Sequence, residues 1–338
     1  MEPVNLKYLA KELGLATSTV SRALRNSHEI SDETKQRVMA MAKKLNYEPN
    51  PYASSLRKQK SKTIGVIIPE IANNFFILVI NGIEAIAREK NYHVLIYLTH
   101  EDYEREKYIV QHLQNGRVDG ILMSVSSETV NVDHLMDLQD KGLPIVFFDR
   151  VCESIPTAKV TTDDYNCGYL ATEHLIKQGC KNVAYFSFSR QSINSKRMAG
   201  YEDALKKYGI PLKPHLIVSG TTNDTENYKL IKKLLSSKQR PDGIFSAVEK
   251  MAVSTYNVCA DIGLNIPNDI KIVSFSNLEV APLLHPSLTT ITQPAFDIGK
   301  EAVSILFKSL EKKNYTLPDE TFILKSALVV RDSTKKSA

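Results

Sequence analysis

From Thr63 onward the chain alternates short runs of branched apolar residues with amphipathic stretches of about 10–17 residues. That rhythm produces βαβ units and parallel sheets. The runs Ile64–Pro69, Val94–Leu98, Gly120–Val125, Ile145–Asp149, Val183–Phe188, Leu216–Ser219, Gly243–Val248 and Ile270–Phe275 are the expected strands. Eight or more strands exceed one comfortable sheet, so two lobes are expected. Lobes of this type bind ligands beyond the carboxyl ends of their strands, and a cleft between two of them is a natural site.

The first 62 residues do not follow this rhythm and differ in charge. They carry twelve Lys/Arg against six Asp/Glu, while residues 63–338 carry 31 against 32. The whole net charge of +5 thus originates in the first fifth of the chain, the pattern of a polyanion-binding module on a neutral body. Three short helices are expected there. Leu6, Leu9, Ala10 and Leu13 share a stripe that Gly14 ends. Thr17 to about Asn26 forms a second, with Val20, Ala23 and Leu24 inward. Ser31 caps a third, with Asp32 and Glu33 at the positive end of its dipole, Val38, Met41, Ala42 and Leu45 as its apolar side, and Asn46 at its end. Ala10-x3-Gly14-x5-Val20 is helix-turn-helix spacing: a small residue for close approach, glycine for the turn, a branched residue to lock the second helix. A three-helix scaffold with no nucleic-acid role shares that spacing.

The second helix bears the side chains that reading a major groove requires. Arg22 can present a fork to guanine, and Thr17 and Ser18 can reach base edges or a thymine methyl. Thr19, Ser21, Arg25 and Asn26 suit phosphate contacts, which position without specifying. Next, Asn50 before Pro51 is a strong helix start. The helix runs only about two turns before the basic segment Lys58–Lys62, too short to stand alone in water. Ala53 and Leu56 give it a small apolar face able to meet a second copy, and Leu56 can act as a wedge between base steps in the minor groove. A linker with Leu56 packed on the next domain is the plainer reading.

Val20-Ser21-Arg22 in a helix-turn-helix, then Asn46 to Leu56 (Asn-Tyr-Glu-Pro-Asn-Pro-Tyr-Ala-Ser-Ser-Leu), then Ser61 to Pro69 (Ser-Lys-Thr-Ile-Gly-Val-Ile-Ile-Pro) closely resemble the LacI/GalR family of bacterial transcription regulators, and the likeness runs through the whole chain. The resemblance implies an N-terminal all-α helix-turn-helix domain with a hinge helix, then a periplasmic-binding-protein-like α/β body of two doubly wound parallel-sheet lobes joined by three crossovers. The implied boundaries are 1–49 for the DNA-binding domain, 50–62 for hinge and linker, 63–161 with 293–322 for the first lobe, 162–292 with 323–331 for the second, and a polar, disordered tail at 332–338. It also implies a homodimer on a near-palindromic double-stranded DNA operator, with DNA contacts from Asn50, Tyr52, Ala53 and Leu56 besides the recognition helix, and repression controlled by a small molecule in the inter-lobe cleft, such as a sugar or sugar derivative.

For the effector, the resemblance implies Phe75 in Asn73-Asn74-Phe75-Phe76, Asp149 and Arg150 at a strand end, and Arg197 in Arg197-Met198-Ala199-Gly200-Tyr201, whose fork grips hydroxyls or carboxylate. Four departures stand out. Ala16 replaces the usual serine before the recognition helix, removing a cap, and Ser54 replaces an arginine in the hinge. Val248 stands in Val248-Glu249-Lys250-Met251-Ala252 where sugar-binding members have Asn-Asp, and Ser276 stands where they carry a carboxylate. An ordinary hexose held in the usual way is therefore disfavoured, and a different small molecule, or a ligand-silent cleft controlled by a protein partner, stays open.

Other classes find less support. No G-x-x-x-x-G-K-[ST], post-strand G-x-G-x-x-G or G-x-S-x-G occurs, so an enzyme, for instance a sugar-processing one, is disfavoured. A free-standing solute-binding protein is disfavoured by the charged head and by a start lacking an apolar leader, and the expected location is the cytoplasm. Cys152, Cys167, Cys180 and Cys259 are widely spaced, implying neither disulfide nor zinc, and no cofactor is expected.

Overall fold

The computed structural model describes residues 5–47, 60–71, 73–188, 192–221, 223–312 and 315–335, with the backbone alone at 192–194. The expected hinge helix, with Asn50, Tyr52, Ala53, Ser54 and Leu56, lies outside the described residues. Two compact units emerge, Met1–Ser61 and Lys62–Ala338. Among the described residues no helix is long and apolar enough to cross a membrane.

The head unit holds α1 (Leu6–Leu13), α2 (Thr17–Leu24) and α3 (Asp32–Lys44). Asn5 caps α1 by accepting from the Tyr8 amide at 2.9 Å, and Gly14 ends it at φ 66°, a left-handed conformation that glycine adopts without strain. Ser31 caps α3 as expected, accepting from the Thr34 amide. Helix α2 stops at Leu24, two residues short of the expected end, because Asn26 turns left-handed at φ 53° and releases the chain into the next turn. Leu9, Ala10, Val20, Ala23, Val38 and Ala42 form a closed apolar centre. It is small, and the packing of three amphipathic faces into it holds helices too short to persist alone.

The body unit contains β1 (Thr63–Ile68), α4 (Asn74–Glu89), β2 (His93–Leu98), α5 (Tyr103–Leu113), β3 (Gly120–Met123), α6 (Asp133–Asp140), β4 (Ile145–Phe148), β5 (Lys159–Thr162), α7 (Asp164–Lys177), β6 (Val183–Ser187), α8 (Ser192–Lys207), β7 (Ile217–Ser219), α9 (Asp224–Leu235), β8 (Gly243–Ser246), α10 (Glu249–Ile262), β9 (Lys271–Phe275), β10 (Thr289–Thr292), α11 (Ala295–Glu311), β11 (Thr321–Leu324) and β12 (Ala327–Val329). One six-stranded sheet runs β11-β5-β4-β3-β1-β2 and the other β12-β10-β9-β8-β6-β7. Every pairing is parallel except β10 with β12. The pleat sends alternate side chains to opposite faces: Ile64, Val66 and Ile68 join the layer under α4 and α11, while Ile67 joins the layer under α5 and α6. The second lobe is built likewise on two apolar layers.

The chain passes between the sheets three times, at Thr162–Asp164, Thr292–Ala295 and Leu324–Ala327. Two expected boundaries are corrected. The division at 161/162 cuts β5 and that at 322/323 cuts β11, whereas the β5–β11 ladder extends to Leu324 opposite Thr162. The expectation of a disordered tail is also corrected for its described residues, 332–335. Ser333 and Thr334 are fully buried: Ser333 Oγ accepts from the Thr289 amide at 2.8 Å and donates to the Ile272 carbonyl at 2.6 Å, and Thr334 Oγ1 meets Thr289 Oγ1 at 2.9 Å and His174 Nε2 at 2.8 Å. Polar composition misleads here because each hydroxyl satisfies an interior group.

Candidate functional site

In the head, Thr17 and Ser18 stand exposed on the first turn of α2, Thr19 is partly covered, and Val20 and Ala23 point into the core. Ala16 offers no side-chain cap, as its methyl dictates. Arg22 pairs with Glu29 at 2.9 Å, both side chains about half exposed, an ion pair weak enough to yield to a better acceptor. Arg25 is turned back on its own helix, with Nε donating to the Ser21 carbonyl at 3.0 Å and Nη2 to Ser21 Oγ at 2.9 Å, so these two phosphate candidates occupy each other. Asn26 is exposed beyond the helix end.

In the body, the carboxyl ends of the parallel strands converge on a cleft of about 370 Å³ between the lobes. All six expected effector residues, Phe75, Asp149, Arg150, Arg197, Val248 and Ser276, line it. Asn73 caps α4 by accepting from the Phe75 amide at 2.9 Å, which fixes the Phe75–Phe76 pair at the mouth of the first lobe. Both rings are nearly buried, with centroids 5.2 Å apart edge to face.

Arg197 is held from three directions. Its Nε donates to Asp164 at 2.7 Å, its Nη1 donates to the Ala247 carbonyl at 2.9 Å, and its guanidinium stacks 3.4 Å from the centre of the Phe275 ring. Only 7% of the residue is exposed. Glycine creates this seat: an added Cβ on Gly168 of α7 would lie 2.1 Å from the Arg197 carbonyl, and one on Gly200 of α8 2.0 Å from the Tyr165 carbonyl. The two helices therefore pack backbone to backbone, and Asp164 and Arg197 meet across that seam. Burial keeps the Asp164 pKa above the usual carboxylate value despite its arginine.

On the first lobe, Arg150 Nη1 donates to Glu101 at 2.6 Å, and the Ser127 amide donates to the other Glu101 oxygen at 2.7 Å. Burial works against the Glu101 charge, but Arg150 and Ser127 outweigh it and hold its pKa below the ordinary range. Asp149 differs. Its backbone is left-handed at φ 58°, and its pKa rises to about 6, because burial disfavours the charge and Asp164 repels it more than Arg150, Arg197 and Gln293 relieve it. His100 and Glu101 also take positive φ, 55° and 62°, so the cleft floor concentrates sparsely populated backbone.

One carboxylate lining the cleft escaped the sequence reading. Ser276 donates its hydroxyl to Glu249, which opens α10 beside the end of β9. Ser276, which stands where sugar-binding members are expected to carry a carboxylate, is thus met by one from elsewhere: Glu249 brings it from the neighbouring helix to the strand end. Burial raises its pKa, Ser276 and backbone amides of Asn277 and Leu278 oppose the rise, and Glu70 adds to it. The only signal in the sequence was the acidic residue beside Val248 within a stretch read as a mismatch.

Comparison with known proteins agrees with both halves. Residues 5–50 match the bacterial regulatory proteins of the lacI family, and residues 61–327 match the periplasmic binding proteins and sugar binding domain of the LacI family. Catabolite control protein A of Priestia megaterium is 30% identical over 334 residues, covering 98% of this chain and 99% of that protein. The ribose operon repressor of Haemophilus influenzae is 31% identical over 329 residues, covering 97% and 98%. A Lac repressor dimer bound to operator and an anti-inducer shares the fold, with a TM-score of 0.85 at 23% identity over 98% of this chain and 99% of that one. With its head and its body each matching the corresponding part of one family, and with relatives of that family aligned end to end, the chain belongs to the LacI family of bacterial regulatory proteins.

Proposed function

We propose that the protein is a cytoplasmic repressor that binds a near-palindromic operator as a homodimer, its affinity set by a small molecule in the inter-lobe cleft. The observation that carries this reading is the exposed face of α2, where Thr17, Ser18 and Arg22 stand free of the apolar core that fixes the helix. Such a helix can enter a major groove with its N-terminal residues on base edges. Arg22 reads guanine, while Thr19, Ser21 and Asn26 contact phosphate. Asn50, Tyr52, Ala53 and Leu56 extend the contact into the minor groove between the half-sites.

A second copy is supported by apolar side chains left exposed on the first lobe, Ile77 and Leu78 on α4 and Leu95 and Ile96 on the edge strand β2, which are 37–43% exposed. Lobes joined by three short crossovers can close on a ligand, and the ligand shifts DNA affinity by its differential affinity for the two arrangements. Sensing rather than catalysis is the role of the cleft, in keeping with relatives named as regulators.

The test is selection of binding sites from random duplexes by the full chain. An inverted repeat is expected to emerge, and Arg22→Ala is expected to relax one position in each half by about 1–3 kcal/mol. An unenriched pool overturns the proposal, and an unchanged site in Arg22→Ala reassigns that arginine to phosphate.

A further inference from the structure

The second lobe bears a strongly basic surface outside the cleft. Between residues 228 and 240 the chain places Lys229, Lys232, Lys233, Lys238 and Arg240 and no acidic residue, within a body whose charge otherwise balances. Arg240 pairs with Asp269 at 3.5 Å, and Lys232 donates to the Tyr228 hydroxyl at 3.2 Å. Lys233 and Lys238 are exposed, and neither has an ion-pair partner among the described residues. Both line a surface groove of about 630 Å³ formed by β7, the last turns of α9 and the residues that follow it. The groove shares no lining residue with the cleft, and no carboxylate lines it among the described residues. Its apolar part is Val218 of β7 with Leu230 and Leu234 of α9. Helix α9 gives Asn227, Ile231 and Leu235 to the core, which leaves Leu230 and Leu234, four apart, on the adjoining flank. Leu230 is 39% exposed. Strand β7 is the outer strand of its sheet and pairs with β6 alone, so the backbone groups of its other edge belong to no ladder.

We propose that this groove docks an extended, acidic segment of a partner protein, added as a further strand beside β7. Its apolar side chains cover Val218, Leu230 and Leu234, and its carboxylates meet Lys233 and Lys238. An extended peptide meets all three demands of the groove at once: main-chain groups for the strand edge, alternate apolar side chains for the leucines, and negative charge for the lysines. A duplex offers phosphates but nothing apolar for Leu230 and Leu234. A second copy of this chain docked through the same patch would set lysine against lysine, because a twofold contact brings the same surface from both sides.

The experiment is selection from a displayed library of random dodecapeptides on the full chain. The selected peptides, labelled with fluorescein, are then titrated by anisotropy with the native chain, with Leu230→Asp and with the double variant Lys233→Glu, Lys238→Glu. The peptides are expected to be acidic with apolar residues at alternate positions, and to bind each variant at least about tenfold more weakly than the native chain. Methylation of alternate peptide amides is expected to abolish binding, as strand addition requires. The double variant alters only exposed side chains, so it carries the test should Leu230→Asp melt early. An unenriched library, peptides without acidic residues, or peptides that bind the double variant as tightly as the native chain overturn the proposal. Two further results also overturn it. Operator affinity that falls about tenfold in the double variant makes the patch a nucleic-acid surface, and dissociation of the native oligomer by Leu230→Asp makes it a contact between copies.

Discussion

Asp149 carries two costs at once, a left-handed backbone and a carboxylate whose ionisation burial opposes. The sign of the second follows from linkage. An acid whose pKa is higher in the folded than in the unfolded chain destabilises the fold once ionised. The penalty is absent below the ordinary carboxylate pKa near 4, grows as pH rises towards 6, and is complete above it. Asn tolerates positive φ and bears no charge, so Asp149→Asn is expected to stabilise the body at pH 7.5 by about 1–3 kcal/mol, the gain shrinking towards pH 4. Urea melting of both forms at pH 7.5 and 4.5 checks this; an equal gain at both pH values, or a loss at 7.5, contradicts it. At this scale the sequence was legible wherever a side chain reaches the cleft from its own strand end or helix, as Asp149, Arg150 and Arg197 do. Glu249 was not, because its position depends on where α10 begins relative to β9, a tertiary relation with no local trace.

Among the elements, the α7–α8 pair has the narrowest tolerance. Gly168→Ala would set a methyl 2.1 Å from the Arg197 carbonyl, and backbone cannot step aside as a side-chain tip can. Separation of the helices is expected to cost about 1–3 kcal/mol and to weaken any cleft ligand by loosening Arg197, read by denaturation and by calorimetry. Unchanged stability would show the helices free to slide. The C-terminal residues give a second test. A chain ending at Arg331 strips the buried Thr289 amide and His174 of partners, and is expected to lose about 1–3 kcal/mol. An unaltered melting temperature would return 332–335 to the status of a tail. The eight strands legible in advance are runs rich in Val, Ile, Leu and Phe. The four that were not, β5, β10, β11 and β12, are three or four residues long, and β5 and β10 are rich in threonine, as in Thr289-Thr290-Ile291-Thr292. β-branched hydroxyl residues satisfy a sheet without displaying an apolar run.

Over the whole molecule, charge and fold divide the work. The head carries the excess of positive charge, so affinity for any duplex is expected to fall steeply with salt, as release of condensed counterions requires. A flat dependence between 50 and 200 mM salt, a range over which phosphate-dominated binding loses about 10³–10⁵, would contradict a phosphate-anchored complex. The body offers the proposed sensor, with strand ends of both lobes facing one cavity and three crossovers joining them. Coupling between cleft and duplex is the claim on which the rest depends, and Arg197 is the residue through which a bound ligand is expected to draw on the second lobe. The direct measurement is fluorescence anisotropy of the selected operator, titrated with the full chain and with Arg197→Ala, each with and without a small molecule found by thermal shift to stabilise the body. Ligand is expected to shift operator affinity by about 5–150-fold in the native sequence and by less than about twofold in Arg197→Ala, with similar unliganded affinities. Equal shifts in both chains, or none in the native one, would contradict the account.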